Sequence, residues 1–276
     1  INFEKFGDGK IEKYDFSKDY FAHIEKLVDI NKIKTLKTNI IFDGLYSASI
    51  GYFDKLLQTH GIKFDSLHLF HDPDFGGGMP EPKPKFLKEL IEKVKAKGNS
   101  VGFANDGDAD RFGVINENGE YVTPNEIIAI LLLHLTRNKN LKGSLVKTVG
   151  ASLMLDRTAE KLGVEVVETA VGFKHVGEAM RKFNPVIGGE ESGGLSIQGH
   201  IPEKDGILAN LLVLEAMAYS NKSLVELQKD LDNFVGCKFF NDRIDKKLTN
   251  FDEVKPVLEK FKNLESINGL KITKKD

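Results

Sequence analysis

Three aspartates stand at alternate positions directly after an apolar run in the segment VGFANDGDADRFGVI (residues 101–115): Asp106, Asp108 and Asp110. Alternate residues of an extended loop point to the same side, so the three carboxylates are predicted to converge. Such a cluster repels itself unless a cation lies within it. A few oxygen ligands, with coordination positions left open for a phosphate oxygen, suit Mg²⁺. The segment therefore predicts a magnesium-binding loop, beside which Arg111 is either an ion-pair partner of the aspartates or a phosphate contact.

Three other interpretations compete for this loop. An EF-hand calcium loop also begins D-x-D-x-D, but it continues with glycine where this chain has Arg111, and it follows a helix rather than a strand. A phosphatase loop of the HAD type would have the form D-x-D-x-T after a first strand, and Arg111 stands where the second acceptor residue is needed. Both are disfavoured, and a solvated acidic turn without a metal is the remaining alternative.

A second stretch with chemical potential is IGGEESGGLSIQGHIPEKDGI (residues 187–207). Glu190, Glu191 and Ser192 follow a strand pattern and precede glycines, which allow the backbone to approach a small polyol closely. Carboxylates accept hydrogen bonds from sugar hydroxyls, and a serine hydroxyl both donates and accepts. Taken alone, the stretch favours a glycine-rich turn carrying solvated glutamates, and sugar binding is only suggested.

Single polar residues elsewhere carry weaker signals. The segment VGFKHVGE (residues 171–178) places Lys174 after a glycine turn, where a lysine is usually a solvated charge. His71 and His200 lie near the expected cleft and are predicted to be loop residues with backbone partners. His134 is predicted at a helix end, without a chemical role.

Strand and helix patterns alternate after about residue 36, as in parallel sheets whose strands are joined by helices. Ligands of such sheets collect at the carboxyl ends of the strands, which is where the three aspartates stand. A hairpin pattern at 112–122 and the apolar helix TPNEIIAILLLHLTRNK separate two such halves. The first half has strand patterns at 38–44, 66–71 and 100–105 and helical patterns at 50–61 and 85–98. The second has strand patterns at 144–150, 164–170 and 185–189 and helical patterns at 152–163, 174–183 and 205–220.

The predicted fold class is therefore α/β: two three-layer α/β/α domains in tandem, each with a mainly parallel sheet, followed by an incomplete C-terminal α+β piece. Right-handed crossovers are assumed. The predicted units are a lead-in from a missing N-terminal domain at 1–36, a metal-loop α/β domain at 37–140, a sugar-loop α/β domain at 141–233 and the start of an incomplete C-terminal domain at 234–276.

Composition narrows the class of protein. The chain has 276 residues, of which 41% are hydrophobic and 29% charged, with a formal net charge of −2. It therefore lacks the basic footprint of a nucleic-acid-binding protein, and it has no apolar run long enough for a membrane span. The single cysteine, Cys237, is predicted to be a core residue and suits the reducing cytoplasm. The sequence leaves the oligomeric state open.

Taken together, these stretches resemble the α-D-phosphohexomutase family, the phosphoglucomutases and phosphomannomutases. The segment DGDADR resembles the metal-binding loop of that family, and GEESGG resembles its sugar-binding loop. The segments GFKHV and HIPEKDG resemble two further active-site segments, and DPDFGGGMPEPKP is similar to the segment before the metal loop. The motifs occur in the family's order over residues 40–220 and cover its second and third domains, with flanking pieces of the first and fourth.

The resemblance implies a Mg²⁺-dependent enzyme that interconverts hexose 1-phosphate and hexose 6-phosphate, of glucose or mannose, through a phosphoserine and a bisphosphate intermediate. It implies hexose phosphate as the binding partner and glucose 1,6-bisphosphate as activator of the full-length enzyme. By position, it assigns the metal to Asp106, Asp108 and Asp110, the phosphoserine contact to Arg111, phosphate contact or proton transfer to Lys174 and Lys204, and substrate binding to Gly172, Glu190, Ser192 and Lys204.

The chain also departs from the family pattern. No segment similar to TASHNP, which carries the family's nucleophilic serine, occurs here, and Ser47 and Ser49 lie in a different context. The phosphate clamp similar to RPSGTEP is absent too, so this chain is expected to bind better than it turns over. Glu191 and Gly194 stand where glucosamine mutases tend to carry Gln and His, which favours glucose or mannose phosphate. The alternatives are a non-catalytic module that binds Mg²⁺ and sugar phosphate, and a phosphoglucosamine mutase.

Overall fold

The structure is a computed structural model that describes residues 13–240, residues 250, 252, 254–256 and 259, and the backbone of two short strands near the C-terminus. The helices of this part of the chain are α1 Ser17–Leu27, α2 Ile30–Ile33, α3 Phe53–Thr59, α4 Lys88–Lys97, α5 Pro124–Arg137, α6 Leu153–Leu162, α7 Phe173–Phe183, α8 Gly206–Ser220 and α9 Leu224–Val235. The strands are β1 Asn39–Asp43, β2 Phe64–Leu67, β3 Ser100–Asn105, β4 Phe112–Ile115, β5 Tyr121–Val122, β6 Leu145–Thr148, β7 Val166–Thr169, β8 Ile187–Gly189, β9 Leu195–Ile197, β10 Ser266–Ile267 and β11 Leu270–Lys271.

The first sheet has the strand order β2-β1-β3-β4-β5. Its strands β2, β1 and β3 are parallel, and β4 and β5 extend the sheet as an antiparallel hairpin. Every residue of β3 is buried, which explains why its sequence is a continuous apolar run rather than an alternating one. The metal loop, DGDADR (residues 106–111), begins where β3 ends.

The strand pattern at 66–71 was misplaced. Strand β2 spans Phe64–Leu67 and stops before His68, whose backbone has a φ of 46°. The imidazole of His68 turns to the buried carboxylate of Asp43, with Nδ1 2.9 Å from Oδ1. This side-chain contact between β1 and the end of β2 ends the strand, and the apolar spacing of the sequence carries no sign of it.

The second sheet repeats the plan of the first, with the order β7-β6-β8-β9. Strands β7, β6 and β8 are parallel, and β9 is antiparallel to β8. Both sheets are flanked by helices, which confirms the predicted α/β class with tandem α/β/α units. Helix α5, which follows the first sheet, begins with the capping box of Thr123 and Glu126 and has Pro124 at its first position.

Helix α8 joins the two halves. It contacts β3 and β4 of the first sheet, β9 of the second, and helices α2 and α5. Because it packs on all sides, its residues from Gly206 to Ala218 are all buried, and its sequence is apolar all round instead of amphipathic. One hydrophobic cluster accordingly runs through both halves of the described chain.

The segment before β1 packs on this same cluster. Helices α1 and α2 contribute the buried side chains of Ile24, Ile30 and Ile33 to it. Asp29 separates the two helices and caps α2 by accepting a hydrogen bond from the backbone N–H of Lys32. The unit boundaries at 36, 140 and 233 remain predictions.

Two remaining points concern the rest of the chain. Cys237 is exposed, so its prediction as a core residue is wrong. Most of the tail beyond residue 240 lies outside the described residues, apart from the short antiparallel pair of β10 and β11. Among the helices that the structure describes, none combines the length and apolar character that crossing a membrane requires.

Candidate active site

The metal-loop segment is a tight turn at the carboxyl end of β3. Its backbone closes on itself where the N–H of Ala109 donates to the carbonyl of Asp106 at 3.0 Å, and Ala109 has a φ of 63°. The side chain of Asn105 donates to the carbonyl of Arg111 at 3.0 Å and holds the far end of the turn. In this turn, one carboxylate oxygen from each of Asp106, Asp108 and Asp110 lies within 4.8 Å of the other two.

Asp106 and Arg111 form the buried base of the cluster. The backbone N–H of Arg111 donates to Asp106 Oδ1 at 2.9 Å, and its Nε donates to Oδ2 at 2.5 Å. Burial raises the pKa of Asp106 above its usual range, because the hydrogen bonds and charge of Arg111 offset it only in part and the charge of Asp110 adds to it. Three hard oxygen donors, one of them the buried carboxylate of Asp106, fit a divalent cation, whose charge would favour the ionised form of Asp106.

The segment DPDFGGGMPEPKP (residues 72–84) supports this loop from outside. The carbonyl of Pro80 accepts a hydrogen bond from the backbone N–H of Gly107 at 3.0 Å. Gly107 is small enough for this approach, since a Cβ there would lie 3.1 Å from the Pro80 ring. The carboxylate of Glu81 lies 3.8 Å from Arg111 Nη1. The segment thus places a further negative charge beside the arginine.

The two serines after β1 lie under the same loop. The Oγ atoms of Ser47 and Ser49 are 2.7 Å apart, and both side chains are buried. Between them, the backbone N–H of Ala48 donates to the carbonyl of Gly107 at 3.1 Å. Since neither hydroxyl is exposed, this segment braces the loop and offers no accessible nucleophile.

The sugar loop, GEESGG (residues 189–194), lies at the end of β8, and its backbone also closes on itself. The N–H of Glu190 donates to the carbonyl of Gly194 at 2.9 Å, and Gly193 takes a φ of 101°. The carboxylate of Glu190 accepts from the N–H of Gly172 at 3.0 Å and from the hydroxyl of Ser192 at 3.2 Å. These contacts fix Glu190 at the N-terminus of α7, where the helix dipole favours a negative charge.

Glu191, the next residue, points toward the end of β6. Its Oε2 accepts a hydrogen bond from the hydroxyl of Thr148 at 2.6 Å. A Cβ at Gly150 would lie 2.9 Å from Glu191 Oε1, so the glycine leaves room for the carboxylate. Within residues 13–240, no lysine, arginine or histidine forms an ion pair with Glu191.

The two loops meet directly. The backbone N–H of Phe112 donates to the carbonyl of Gly193 at 3.1 Å, and Lys204 Nζ forms an ion pair with Asp110 Oδ2. Burial alone would lower the pKa of Lys204, but the hydrogen bond and charge of Asp110 and the charge of Glu190 outweigh burial and raise it. The lysine is therefore a cation held between the carboxylates of both loops.

Gly194 makes this position of Lys204 possible. A Cβ at residue 194 would overlap the aliphatic chain of Lys204 at Cδ. The glycine noted in the sequence as a departure from the family pattern thus leaves the space that the lysine side chain fills.

Helix α8 begins against the metal loop. The N–H of Gly206, its first residue, donates to the carbonyl of Ala109 at 3.0 Å. A Cβ on Gly206 would overlap the carbonyl of Arg111 and the side-chain amide of Asn105. The helix that carries the shared core is thereby joined to the loop with the three aspartates.

The structure brings most of the sequence-predicted site residues together. Around the contact of the two loops lie Asp106, Asp108, Asp110, Arg111, Gly172, Glu190, Ser192 and Lys204. Lys174 differs, because it is exposed on the first turn of α7 and has no hydrogen bond or ion pair with the residues of 13–240. Its proposed role is thus the least supported by contacts.

A group of side chains behind Lys204 was not predicted from the sequence as a cluster. Tyr20 and His23 of α1 contact His200 and Asp205 of the loop between β9 and α8. The partners of the His200 imidazole are therefore side chains, and the expectation of backbone partners is wrong. Their separation of 177 and 185 residues along the chain leaves no local signal by which these pairs could be found.

Comparison with protein families places both halves of the chain. Residues 18–119 match the model described as phosphoglucomutase/phosphomannomutase, alpha/beta/alpha domain II, and residues 123–234 match the corresponding domain III. The chain is 34% identical over 230 residues to a phosphoglucomutase/phosphomannomutase of Thermococcus kodakarensis, covering 83% of this chain and 50% of the relative. It is 32% identical to a phosphoglucosamine mutase of Methanocaldococcus jannaschii, covering 80% of this chain and 49% of the relative.

Solved structures agree with these matches. A candidate phosphomannomutase from Thermus thermophilus superposes with a TM-score of 0.79 at 34% identity, over 83% of this chain and 53% of that one. The open form of a Paramecium phosphoglucomutase, parafusin, superposes with a TM-score of 0.73 at 27% identity, over 83% and 44% of the two chains. The chain thus spans about half the length of the relatives it matches.

Proposed function

Because the chain belongs to the phosphoglucomutase/phosphomannomutase family, we propose that it supplies the metal- and sugar-binding half of a Mg²⁺-dependent phosphohexomutase. The reaction interconverts hexose 1-phosphate and hexose 6-phosphate, of glucose or mannose, through a phosphoserine and a hexose bisphosphate. The names of the relatives support a mutase of phosphorylated hexoses, and the preference for glucose or mannose is our proposal. Glucose 1,6-bisphosphate would activate the full-length enzyme.

The observation that carries the proposal is the contact between the two loops. Lys204 forms an ion pair with Asp110 of the metal loop, and the negative charge of Glu190 in the sugar loop also acts on it. A phosphate group that enters here meets a cation-binding cluster on one side and polyol-binding groups on the other. Transfer of a phosphoryl group to and from a sugar needs this combination of positioning and charge neutralisation.

Each side chain has a distinct task in this scheme. Asp106, Asp108 and Asp110 hold Mg²⁺, which when bound neutralises charge on the transferring phosphoryl group. Arg111 is fixed by Asp106 through two hydrogen bonds, and its remaining guanidinium N–H groups are available to a phosphate.

The sugar-loop residues and the lysines complete the scheme. Glu190 accepts hydrogen bonds from sugar hydroxyls. Ser192 donates hydrogen bonds to sugar hydroxyls or accepts them. Lys204 binds phosphate or transfers a proton, Gly172 lines the substrate site, and the exposed Lys174 reaches phosphate from the first turn of α7.

We place the nucleophilic serine outside these 276 residues. Ser47 and Ser49 are buried and hydrogen-bonded to each other, and Ser192 donates to Glu190. None of these three hydroxyls has a hydrogen bond to a histidine or lysine base within residues 13–240, and Ser192 is assigned to sugar binding together with Glu190. The single Cys237 suits a reducing compartment, in line with a cytoplasmic location.

A phosphoglucosamine mutase is the second candidate. Several relatives carry this name, and Glu191 places in the sugar loop a carboxylate that has no ion-pair partner among residues 13–240, where an ammonium group of an amino sugar would find a counter-charge. A module that binds Mg²⁺ and sugar phosphate without turnover is the third. Competition between glucose 6-phosphate and glucosamine 6-phosphate for binding separates the first two.

Calorimetric titration of the chain with glucose 6-phosphate, with Mg²⁺ and with EDTA, tests the proposal. We expect Mg²⁺-dependent binding that weakens at least about tenfold in Asp108→Ala, as for loss of a metal-site residue. The control is Asp230→Ala on α9, which removes an exposed ion pair with Lys222 and should bind like the unchanged chain. No binding of any hexose phosphate with Mg²⁺ present would refute the assignment.

A coupled assay with glucose 1-phosphate, Mg²⁺ and a trace of glucose 1,6-bisphosphate tests the nucleophile. Binding without production of glucose 6-phosphate is the expected result. Turnover that disappears in Asp108→Ala would show that the phosphoryl donor lies within this chain after all.

A further inference from the structure

A chain of hydrogen-bonded side chains runs from helix α1 to the loop that carries Lys204. His23 Nε2 lies 3.0 Å from His200 Nδ1, and the two imidazole rings stack with centroids 5.1 Å apart. His200 Nε2 lies 3.2 Å from Asp205 Oδ2. The hydroxyl of Tyr20 donates to the same carboxylate, 2.9 Å from Oδ2 and 3.1 Å from Oδ1. Both ends of the connection are thus held by α1.

Asp205 is also the residue on which the placement of Lys204 depends. It directly follows the lysine, caps α8 by accepting from the N–H of Leu208 at 2.8 Å, and donates its own N–H to the carbonyl of Leu195 at 3.1 Å. Gly206, next in the chain, is bonded to the metal loop. A shift of Asp205 would therefore move Lys204 relative to Asp110.

The hydrogen-bond partners determine which protonation states this arrangement accepts. With both imidazoles neutral, His200 donates from Nε2 to Asp205 and accepts at Nδ1 from His23. With one added proton on the pair, one ring donates from both nitrogens and the other still accepts, so the contact between the rings keeps one donor and one acceptor. A second proton would place two N–H groups against each other 3.0 Å apart, and the contact would break.

We propose that His200, held by His23, is a positioning residue that fixes Lys204 against the metal loop while the histidine pair carries no more than one added proton. This inference rests on the proposed function, because it treats Lys204 as a substrate contact. It connects helix α1 to the site through side chains, since the backbone of α1 has no hydrogen bond to the backbone of either loop.

The charged surroundings of the pair agree with this limit. Burial lowers the pKa of His23, and the positive charges of His200 and Lys26 lower it further, whereas Asp205 acts in the opposite direction. Tyr20 stays protonated, because burial and the charge of Asp205 raise its pKa far above its usual range. The only acidic group that contacts the pair within residues 13–240 is Asp205, so a second proton meets no second counter-charge.

Substitutions of His23 test the inference, since His23 is not a substrate contact. Gln in its place offers both a donor and an acceptor and never gains charge, whereas Leu offers neither. The control is His71→Gln, which changes an exposed loop histidine with no hydrogen bond to residues of 13–240. Binding of glucose 6-phosphate with Mg²⁺ is measured by calorimetry at about pH 8 and about pH 5.5, on either side of the usual histidine range.

We expect His23→Leu to weaken binding by about two- to tenfold at about pH 8, the range for loss of one hydrogen bond, and to bind like the unchanged chain at about pH 5.5, where the unchanged chain has lost the same contact. His23→Gln should bind like the unchanged chain at the higher pH and more tightly than it at the lower pH. Titration of the ligand phosphate and of the carboxylates affects all variants equally, so this difference isolates the histidine pair. Equal pH profiles for the unchanged chain and His23→Gln would overturn the inference.

A second measurement keeps this test separate from the proposed function. Imidazole nitrogen NMR of the chain alone should show His200 with a protonated Nε2 and an accepting Nδ1 at about pH 8, and loss of the contact near about pH 5.5. If glucose 6-phosphate does not bind but these signals appear, the function fails and the histidine pair stands. If the two imidazoles titrate independently of each other, the inference fails whatever the chain binds.

Discussion

At the scale of single residues, the three aspartates of the metal loop are not equivalent. Asp106 is buried and accepts two hydrogen bonds from Arg111, whereas Asp108 is exposed and has no hydrogen bond or ion pair with residues of 13–240. Asp110 lies between these extremes, paired with Lys204. Asp106 therefore holds Arg111 in addition to its proposed role as a cation ligand, whereas the proposed cation is the only partner assigned to Asp108.

Asparagine substitutions should separate these two tasks. Asp108→Asn should leave the melting temperature in EDTA unchanged and abolish the rise that Mg²⁺ produces. Asp106→Asn should instead raise the metal-free stability near neutral pH, by about 1–2 kcal/mol, because the raised pKa of Asp106 means that folding disfavours its charge, which asparagine removes. Thermal unfolding of both variants, with EDTA and with Mg²⁺, measures the two effects. Equal metal-free melting temperatures for the two variants would contradict this assignment.

Gly194 permits a contact rather than a backbone conformation. Its φ does not lie in the left-handed region, so alanine is compatible with the backbone there, and only the flexible chain of Lys204 stands in the way. We expect Gly194→Ala to change stability by less than about 1 kcal/mol, since a long side chain can move aside. The displaced Lys204 should weaken binding of glucose 6-phosphate, measured by calorimetry. Unchanged affinity would show that Lys204 does not need to meet Asp110.

At the scale of elements, helix α7 is a second support of the loop that carries Lys204. The helix packs so closely on this loop that a Cβ at Gly177 would lie 2.6 Å from the carbonyl oxygen of Pro202. Gly177 is buried in the middle of α7. The glycine is therefore kept by contact with a neighbouring backbone, at a cost in helix propensity.

The sign of Gly177→Ala follows from comparing these two effects. Alanine favours a helix over glycine by about 1 kcal/mol. Overlap with a backbone atom costs about 1–3 kcal/mol or more. We expect net destabilisation by about 1–2 kcal/mol, measured by urea unfolding, with the exposed Glu178→Ala on the same helix as a near-neutral control. A stabilised Gly177→Ala would mean that the loop yields easily.

Elements were predicted well where local pattern determines them. Strand β3 and helix α8 were found within one residue of their bounds, because burial on both faces leaves an uninterrupted apolar run. Strand β2 was misplaced because His68 bonds to Asp43, 25 residues away. In the site, both loops were predicted from their clustered acidic residues and glycines. The support by Tyr20, His23 and Pro80 is set by packing between distant segments, which leaves no trace in spacing.

At the scale of the whole molecule, Glu215 joins segments from both halves. This fully buried residue of α8 accepts from the N–H of Asp29 at 2.7 Å and from Lys139 Nζ at 2.6 Å, and it lies 2.9 Å from His134 Nε2. Burial alone would raise its pKa, but these hydrogen bonds outweigh burial and lower it. His134, predicted to have no chemical role, is thus a structural partner in the interior.

Glu215→Gln should destabilise the chain by about 3 kcal/mol near neutral pH, because one buried donor loses its acceptor. A lowered carboxylate pKa contributes stability above the unfolded value of about 4.3, and that contribution is lost as the pH falls through the folded value. The gap between the two proteins should therefore narrow in acid. Urea unfolding at about pH 7 and about pH 3 measures it, with Glu25→Gln at the surface as control. A gap independent of pH would contradict the role of ionised Glu215.

Helix α8 has one further consequence, for how the molecule responds to a ligand. Its first residue is bonded to the metal loop, and the rest of the helix fills the core shared by the two sheets. Cation affinity and resistance to global unfolding are then linked quantities, since the site exists only while that core is intact. Ligand at a hundred times its dissociation constant adds about 2.7 kcal/mol to the free energy of unfolding. On the proposed function, the concentration of free cation would thereby set the lifetime of the folded chain against proteolysis as well as the occupancy of the site.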